Sequence, residues 1–117
     1  MVYEVTTGDK QRAFARFVPR LLDKAHALGL EVTLGDAYRD PRVHGALGVR
    51  LGYGHPKSAH KQRTAIDLNI FKDGVYQTTE EWYKELGEWW EKQHELARWG
   101  GRFKDPNHFS FEVDGVR

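Results

Sequence analysis

Two histidines and two aspartates in this chain are of the residue types that a metal-dependent hydrolytic site could use. His60 and Asp67 stand seven residues apart in "SAHKQRTAIDL", and Asp105 precedes His108 by three residues in "DPNHF". The sequence contains no cysteine, so any zinc ion must be held by imidazole and carboxylate groups, of which a catalytic site commonly uses three. His60, Asp67 and His108 could supply these three ligands if the fold brings them together.

Asp105 and Arg39 could complete such a site. A carboxylate beside a metal ion, but not bound to it, can take the proton of an attacking water and pass it to a leaving amine. An arginine can hold a carbonyl oxygen on which negative charge develops. Simpler interpretations are equally open at this level: Asp105 could cap the turn that begins at Pro106, Arg39 could pair with a neighbouring aspartate, and a His-x6-Asp pair has no strong signature of its own.

The N-terminal third is predicted to form one helix and one strand. Apolar residues at helical spacing predict a helix in "GDKQRAFARFVPRLLDKAHALG", with Asp9 as its N-terminal cap and Gly29 as its end. Pro19 lies inside this pattern and predicts a kink or a break. Val32 and Leu34 alternate with polar neighbours in "LEVTLGDAYR", which predicts a half-buried strand.

The middle of the chain contains the first half of the candidate site. Residues 40–57 are rich in glycine and proline and predict a long loop, a feature that is often functional. "TAIDLNIF" follows and predicts a strand with Asp67 on the face opposite Ile66, Leu68 and Ile70. The dipeptide Asp73-Gly74 then indicates a hairpin turn.

The C-terminal third contains the second half. "TTEEWYKELGEWWEKQHEL" predicts a second helix, capped by Thr78 or Thr79. "HFSFEV" predicts a short closing strand that begins at His108 and could lie beside the strand of Asp67. The expected fold is α+β, with a small, mainly antiparallel sheet and two main helices in a single domain spanning residues 1–117.

Composition excludes several classes of protein. The 18 basic and 17 acidic residues leave a formal charge of +1, which argues against a nucleic-acid partner because polyanion binding needs a basic surface. No apolar run is long enough to span a membrane, so no membrane insertion is expected. The N-terminus has no apolar core of a signal peptide, and we expect synthesis in a cytoplasm.

Together these motifs resemble the family of zinc peptidases that includes D-alanyl-D-alanine carboxypeptidases, dipeptidases and the phage L-alanyl-D-glutamate endopeptidases. The resemblance rests on Ser-x-His-x6-Asp in "SAHKQRTAIDL", on carboxylate-x-x-His in "DPNHFSFE", and on "GDAYR", "WGGRF" and "GYGHPKSAH". It covers most of the chain, from about Phe14 to Glu112. The fold that it implies is that of the Hedgehog signalling domain and the D-alanyl-D-alanine peptidases.

The resemblance also implies roles for individual residues. His60, Asp67 and His108 would bind Zn²⁺, Asp105 would be the general base, and Arg39 would stabilise the substrate carbonyl. Ser58 would lie near the substrate or orient the first ligand.

At the level of function, the resemblance implies a phage-type endolysin that hydrolyses an amide bond of the peptidoglycan stem peptide, with L-Ala–D-Glu as the first candidate. It would be a monomer that acts on the cell wall after release, or as part of a virion. The alternatives are a D-Ala-D-Ala carboxypeptidase or dipeptidase, and a zinc-binding module of the same fold without catalysis. A further alternative is a metal-free structural or tail component, in which His60, Asp67 and His108 would be unrelated polar residues.

One position departs from the family pattern. The family often has glycine three residues after the first histidine, where this chain has Arg63. Glycine there would permit an unusual backbone angle, so Arg63 could indicate a different turn. Its charge could also contact an acidic stem peptide, which makes Arg63 a candidate substrate-binding residue.

Overall fold

The computed structural model describes residues 6–37, 59–60 and 62–113. Arg39, Ser58 and the loop predicted at residues 40–57 lie outside the described residues. The described part contains two α-helices, five strands and one short 3₁₀ helix, so the predicted α+β class is confirmed.

The first helix, α1, spans Thr7–Ala27. It begins with a capping box, in which the Thr6 hydroxyl accepts the Asp9 N–H and the Asp9 carboxylate accepts the Thr6 N–H. Asp9 is therefore the third helical residue and not the predicted cap. The predicted end is confirmed: Gly29 has φ +79°, and the Gly29 and Leu30 N–H groups close a Schellman motif on the carbonyls of His26 and Ala25.

Pro19 does not break α1, contrary to one of the two predicted outcomes. The helix continues through Pro19, which is exposed. Phe14 on one side of the proline and Leu21 and Ala25 on the other are all buried. The same apolar face is therefore packed on both sides of Pro19, and this packing offsets the cost of the missing backbone hydrogen bond.

Five strands form one antiparallel sheet. The strands β1 (Glu31–Leu34), β2 (Ala65–Lys72), β3 (Val75–Gln77), β4 (Ala97–Trp99) and β5 (His108–Phe111) are arranged in the order β1-β2-β5-β4. The strand β3 pairs with the far end of β2, after the stretch that pairs with β5. As predicted, Asp73 and Gly74 form the turn between β2 and β3, both with positive φ.

The central strand β2 fixes the two faces of the sheet. Ile66, Leu68 and Ile70 are buried, and Asp67 and Asn69 lie on the opposite face, as the alternation predicts. The apolar face of the sheet belongs to a core of aromatic and aliphatic side chains contributed by both helices and the strands: Phe14, Leu21, Leu68, Leu86, Trp90, Trp99, Phe109 and Phe111.

The second helix, α2, is shorter than predicted and spans Glu81–Glu91. Neither Thr78 nor Thr79 caps it; the residue before it, Glu80, already has helical angles, and the Thr79 carbonyl accepts the Trp82 N–H instead. The predicted helix continued to Leu96, and the strand β4 that begins directly after that residue was not predicted. Three residues are too few for alternation to be recognised, and β4 depends on its pairing with β5. None of the described helices is long and apolar enough to cross a membrane.

Candidate metal centre

Asp67 and His108 meet because their strands are neighbours. The strands β2 and β5 pair so that Asp67 stands directly opposite His108. Hydrogen bonds join the flanking positions, from Leu68 N–H to the Asn107 carbonyl and from Phe111 N–H to the Thr64 carbonyl. Asp67 and His108 therefore form a non-hydrogen-bonded pair, the kind in which facing side chains lie closest. Their side chains project from the face opposite the core.

His60 reaches the same point from a tight turn that precedes β2. The carbonyl of Ala59 accepts the N–H groups of Gln62 and Thr64, at 3.1 and 3.0 Å. The His60 side chain is buried, and its Nδ1 lies 2.8 Å from the Ala37 carbonyl. A carbonyl can only accept, so Nδ1 carries the proton and Nε2 is left to act as a ligand. This is the usual way in which an outer hydrogen bond orients a metal-binding histidine.

Three donor atoms form a nearly equilateral triangle. His60 Nε2 lies 3.2 Å from Asp67 Oδ1 and 3.2 Å from His108 Nδ1, and His108 Nδ1 lies 3.4 Å from Asp67 Oδ1. Tetrahedral zinc with ligands at about 2.0 to 2.1 Å separates any two donors by about 3.3 to 3.4 Å. The donor types and their separations fit a divalent metal ion, and among the described residues this is the one histidine–carboxylate cluster with such geometry.

The surroundings of Asp67 favour its role as an anionic ligand. Burial raises the pKa of Asp67, but the imidazoles of His108 and His60 lower it more, from its usual 3.8 to about 2. Both imidazoles lie close to Asp67 Oδ1, at 3.2 and 3.4 Å, yet among the described residues this buried oxygen has no hydrogen bond of regular geometry. A buried oxygen without a hydrogen bond is costly to maintain in an apolar protein interior, and a cation in the triangle would satisfy it.

Asp105 lies at the edge of this triangle. Its Oδ2 is 4.0 Å from His108 Nδ1, and its side chain is 53% exposed. It is held by a turn in which the Asp105 N–H donates to the Gly100 carbonyl and the His108 N–H donates to the Asp105 carbonyl, at 2.8 and 3.1 Å. Asp105 is therefore close to the ligand cluster without belonging to it and can be reached by solvent.

The short 3₁₀ helix Gly100–Phe103 shapes this turn. A Cβ atom on Gly100 would overlap the Asp105 carbonyl and would come within 2.7 Å of the His108 Cβ. Gly100 thus permits the close approach that places Asp105 beside His108. Phe103 packs edge-on against the His108 ring, with 5.7 Å between the ring centroids. In the sequence, "WGGRF" stands out only as a feature shared with the family, although its Gly-Gly pair is a signal of such a close approach.

Arg63 occupies the backbone conformation that glycine would favour. Its φ is +60°, in the left-handed region, and its N–H donates to the His60 carbonyl. The side chain is exposed and lines a cavity of about 390 Å³ with Phe14, Val18 and Ile66. The backbone therefore keeps the left-handed conformation at this position, although the residue is arginine and not glycine. Its contact with substrate stays a prediction, as do the roles of Arg39 and Ser58, which lie outside the described residues.

Comparisons with known proteins agree with this geometry. A family model described as D-alanyl-D-alanine carboxypeptidase matches residues 52–111, slightly more than half of the 117 residues. The matched stretch includes His60, Asp67, Asp105 and His108. Searches of curated proteins and of solved structures found no significant match. The chain, with its histidine–aspartate–histidine cluster, belongs to the D-alanyl-D-alanine carboxypeptidase family of peptidases.

Proposed function

We propose that this protein is a zinc peptidase of the phage endolysin type, which hydrolyses the L-Ala–D-Glu amide bond of peptidoglycan stem peptides. The observation that carries the proposal is the triangle of His60 Nε2, Asp67 Oδ1 and His108 Nδ1, with the Asp105 carboxylate at its edge. Membership of a peptidase family supports amide hydrolysis as the reaction.

The proposed ligands are the two histidines and Asp67. When bound there, zinc would supply Lewis acidity toward a carbonyl oxygen and would lower the pKa of a coordinated water to about 7. The His60 Nδ1–H donor to the Ala37 carbonyl keeps the imidazole in one tautomer and orientation. The β2–β5 register holds the other two donors in place.

Asp105 is the proposed general base and acid. Its carboxylate accepts a proton from the attacking water as the water oxygen bonds to the substrate carbonyl carbon. When the carbon–nitrogen bond breaks, Asp105 donates that proton to the departing amine and returns to its ionised form. The separation of 4.0 Å between Oδ2 and His108 Nδ1 supports a position next to the reacting atoms and outside the ligand set. Arg39 is the proposed partner of the carbonyl oxygen.

A second candidate is D-Ala-D-Ala carboxypeptidase activity, which the description of the matching family model favours. The two reactions share the same hydrolytic chemistry and differ in what the protein grips: a carboxypeptidase must bind a free terminal carboxylate, whereas an endopeptidase binds peptide on both sides of the bond. The exposure of the Asp105 side chain supports an open approach to the centre, and we therefore place the endopeptidase first.

The experiment is a digest of purified peptidoglycan, with and without a chelator, analysed by mass spectrometry. New termini at L-Ala and D-Glu, lost with the chelator and restored by added zinc, are the expected result. Release of D-Ala would identify a carboxypeptidase. No product from protein that demonstrably carries zinc would contradict both activities and leave a non-catalytic zinc module. Active protein would act on the wall after release from the cell or as part of a virion.

A further inference from the structure

A side-chain amide lies next to the metal centre on the same face of the sheet. Asn69 follows Asp67 by two residues in β2, so the two side chains point to the same side. Two residues of a strand span about 6.6 to 6.8 Å. The Asn69 side chain is therefore roughly one extended dipeptide away from the candidate centre, and it is partly buried.

Neighbouring side chains hold the Asn69 amide by its oxygen. The Tyr76 hydroxyl and the Asn107 Nδ2 both donate to Asn69 Oδ1, at 3.4 and 3.3 Å. Tyr76 comes from β3, where it stands opposite Phe71 with ring centroids 5.4 Å apart. With Oδ1 occupied, the amide presents its Nδ2 donors away from these partners, and among the described residues Nδ2 has no hydrogen-bond partner.

Asn69 Nδ2 lies close to a position at which glycine has no side chain. Gly35 follows β1, and its N–H donates to the Asp67 carbonyl. A Cβ atom on Gly35 would lie 3.1 Å from the Asp67 Cβ and 3.5 Å from Asn69 Nδ2. Because glycine has no Cβ, no side chain of residue 35 fills this position, and Gly35 itself is exposed. We call the space bounded by Gly35, Asp67 and Asn69 the Gly35 notch.

The charges around the notch favour a neutral acceptor. On the face that carries Asp67, β1 presents Glu31 and Thr33, β2 presents Ala65, Asp67, Asn69 and Phe71, and β3 presents Tyr76. These residues of β1, β2 and β3 include two carboxylates and no lysine or arginine. Arg98 of β4 is on the same face, but β5 separates β4 from β2, and Arg98 pairs with Glu112. A substrate carboxylate would meet like charge there without a cation from β1, β2 or β3 on this face, whereas a peptide carbonyl needs only the amide donor that Asn69 offers.

We propose that the Gly35 notch is a substrate subsite, in which Asn69 Nδ2 donates a hydrogen bond to a backbone carbonyl of the peptide about one dipeptide away from the bond that is cut. This assignment rests on the proposed peptidase function and makes it more specific. A carbonyl at that distance exists only in a substrate that continues beyond the reacting bond. Asn69 is then a specificity-determining residue, and Tyr76 and Asn107 are positioning residues that act through it.

The test compares three variants against synthetic stem peptides that are shortened by one residue at a time from either end. Asn69→Ala removes the donor, Tyr76→Phe removes one of its supports, and Gln77→Ala is the matched control. Gln77 carries an amide on the same hairpin, but it stands opposite Ile70 on the other face of the sheet, and its Nε2 contacts the Val75 carbonyl. Zinc content, melting temperature, KM and kcat are measured for each variant. Binding of intact peptide is followed by calorimetry, with each variant combined with Asp105→Asn in zinc-loaded protein so that the peptide is not cut.

We expect Asn69→Ala to raise KM and Kd by about five- to tenfold, which corresponds to one net hydrogen bond, with zinc content unchanged and kcat affected less. Tyr76→Phe should give about a twofold effect, because its hydrogen bond is long, and Gln77→Ala should give none. The Asn69→Ala effect should vanish for peptides too short to supply the carbonyl.

Equal KM and Kd for Asn69→Ala and Gln77→Ala would overturn the subsite while leaving the peptidase function intact. An effect confined to peptides with a free terminal carboxylate at that position would overturn the neutral-carbonyl assignment. If the wall digest shows no cleavage, the proposed function fails separately. Calorimetry then still decides the subsite: weaker peptide binding by Asn69→Ala supports it, and no binding by the parent protein rejects it.

Discussion

Asp67 and His108 stand opposite each other at a non-hydrogen-bonded position of the β2–β5 pair, with Oδ1 and Nδ1 3.4 Å apart. They are 41 residues apart in the sequence and are brought together by strand register alone. A shift of one residue in that register would turn one of the two side chains toward the core. The metal centre is therefore built into the backbone pairing of the sheet, and His60 completes it from an adjoining turn.

Removing one ligand should abolish both metal binding and activity. We expect His108→Ala to lower zinc affinity by more than about 100-fold, because even outer-shell changes cost 10- to 100-fold, and to leave no measurable wall hydrolysis. Zinc per chain after dialysis, measured by mass spectrometry, is the direct readout. His26→Ala, at an exposed position near the end of α1, is the control and should retain zinc. Full zinc retention by His108→Ala would show that the ligand set is wrong.

Changing the proposed base should separate catalysis from metal binding. Asp105→Ala and Asp105→Asn should keep zinc and the fold but reduce kcat by about 10²- to 10⁴-fold, the usual contribution of a general acid–base group. Rates of release of stem-peptide fragments, together with zinc content and melting temperature, test this. Asp23→Ala removes an exposed carboxylate from α1 and should change none of these quantities. Unchanged kcat in both Asp105 variants would eliminate Asp105 as the base.

Adding a methyl group at Gly100 should disturb the metal centre, although Gly100 is not one of its ligands. A methyl group there meets the Asp105 carbonyl and the His108 Cβ, so Gly100→Ala should reduce the free energy of unfolding by about 1 to 3 kcal/mol, the usual cost of overpacking, and weaken zinc binding. Urea unfolding with parallel metal titration measures both. Gly8→Ala is the control. Near the start of α1, the described atoms closest to its new methyl group belong to the Arg12 and Thr6 side chains, and the change should be neutral or stabilising. Wild-type stability and affinity in Gly100→Ala would refute this account of the turn.

Arg63 can be tested for backbone and charge effects separately. Arg63→Gly relieves a left-handed angle that costs a non-glycine residue about 1 to 2 kcal/mol, partly offset by the greater freedom of glycine in the unfolded chain. We expect a net gain of about 0.5 kcal/mol in unfolding free energy, measured by urea denaturation.

Arg63→Ala is the matched variant, since it removes the guanidinium but keeps the strained angle. It should gain no stability. If the charge contacts an acidic stem peptide, both variants should raise KM for acidic peptides by a similar factor. Unchanged KM in both would remove Arg63 from the substrate-binding residues.

The sequence by itself determined most of the elements that form and the residue types that can do chemistry. The alternation in "TAIDLNIF" placed Asp67 opposite an apolar face, the Asp73-Gly74 pair indicated the hairpin, and Gly29 indicated the end of α1, because each of these depends on local backbone geometry and solvent preference. The absence of cysteine restricted a zinc site to imidazole and carboxylate ligands. Local rules failed where tertiary packing or neighbouring turns compete with them: at Pro19, at the start of α2, and at β4.

Only the tertiary structure decided that the candidate ligands meet. Neither the separation of Asp67 from His108 along the chain nor the spacing of His60 from Asp67 specifies a distance in space. The distances between these side chains are set by strand register and by the turn at residues 59–64, because these determine which side chains face one another. The Gly35 notch has the same origin. The pairing of β1 and β3 with β2 makes neighbours of Gly35, Asp67, Asn69 and Tyr76. Burial of the opposite face of the sheet, which has no chemical role of its own, stabilises that pairing.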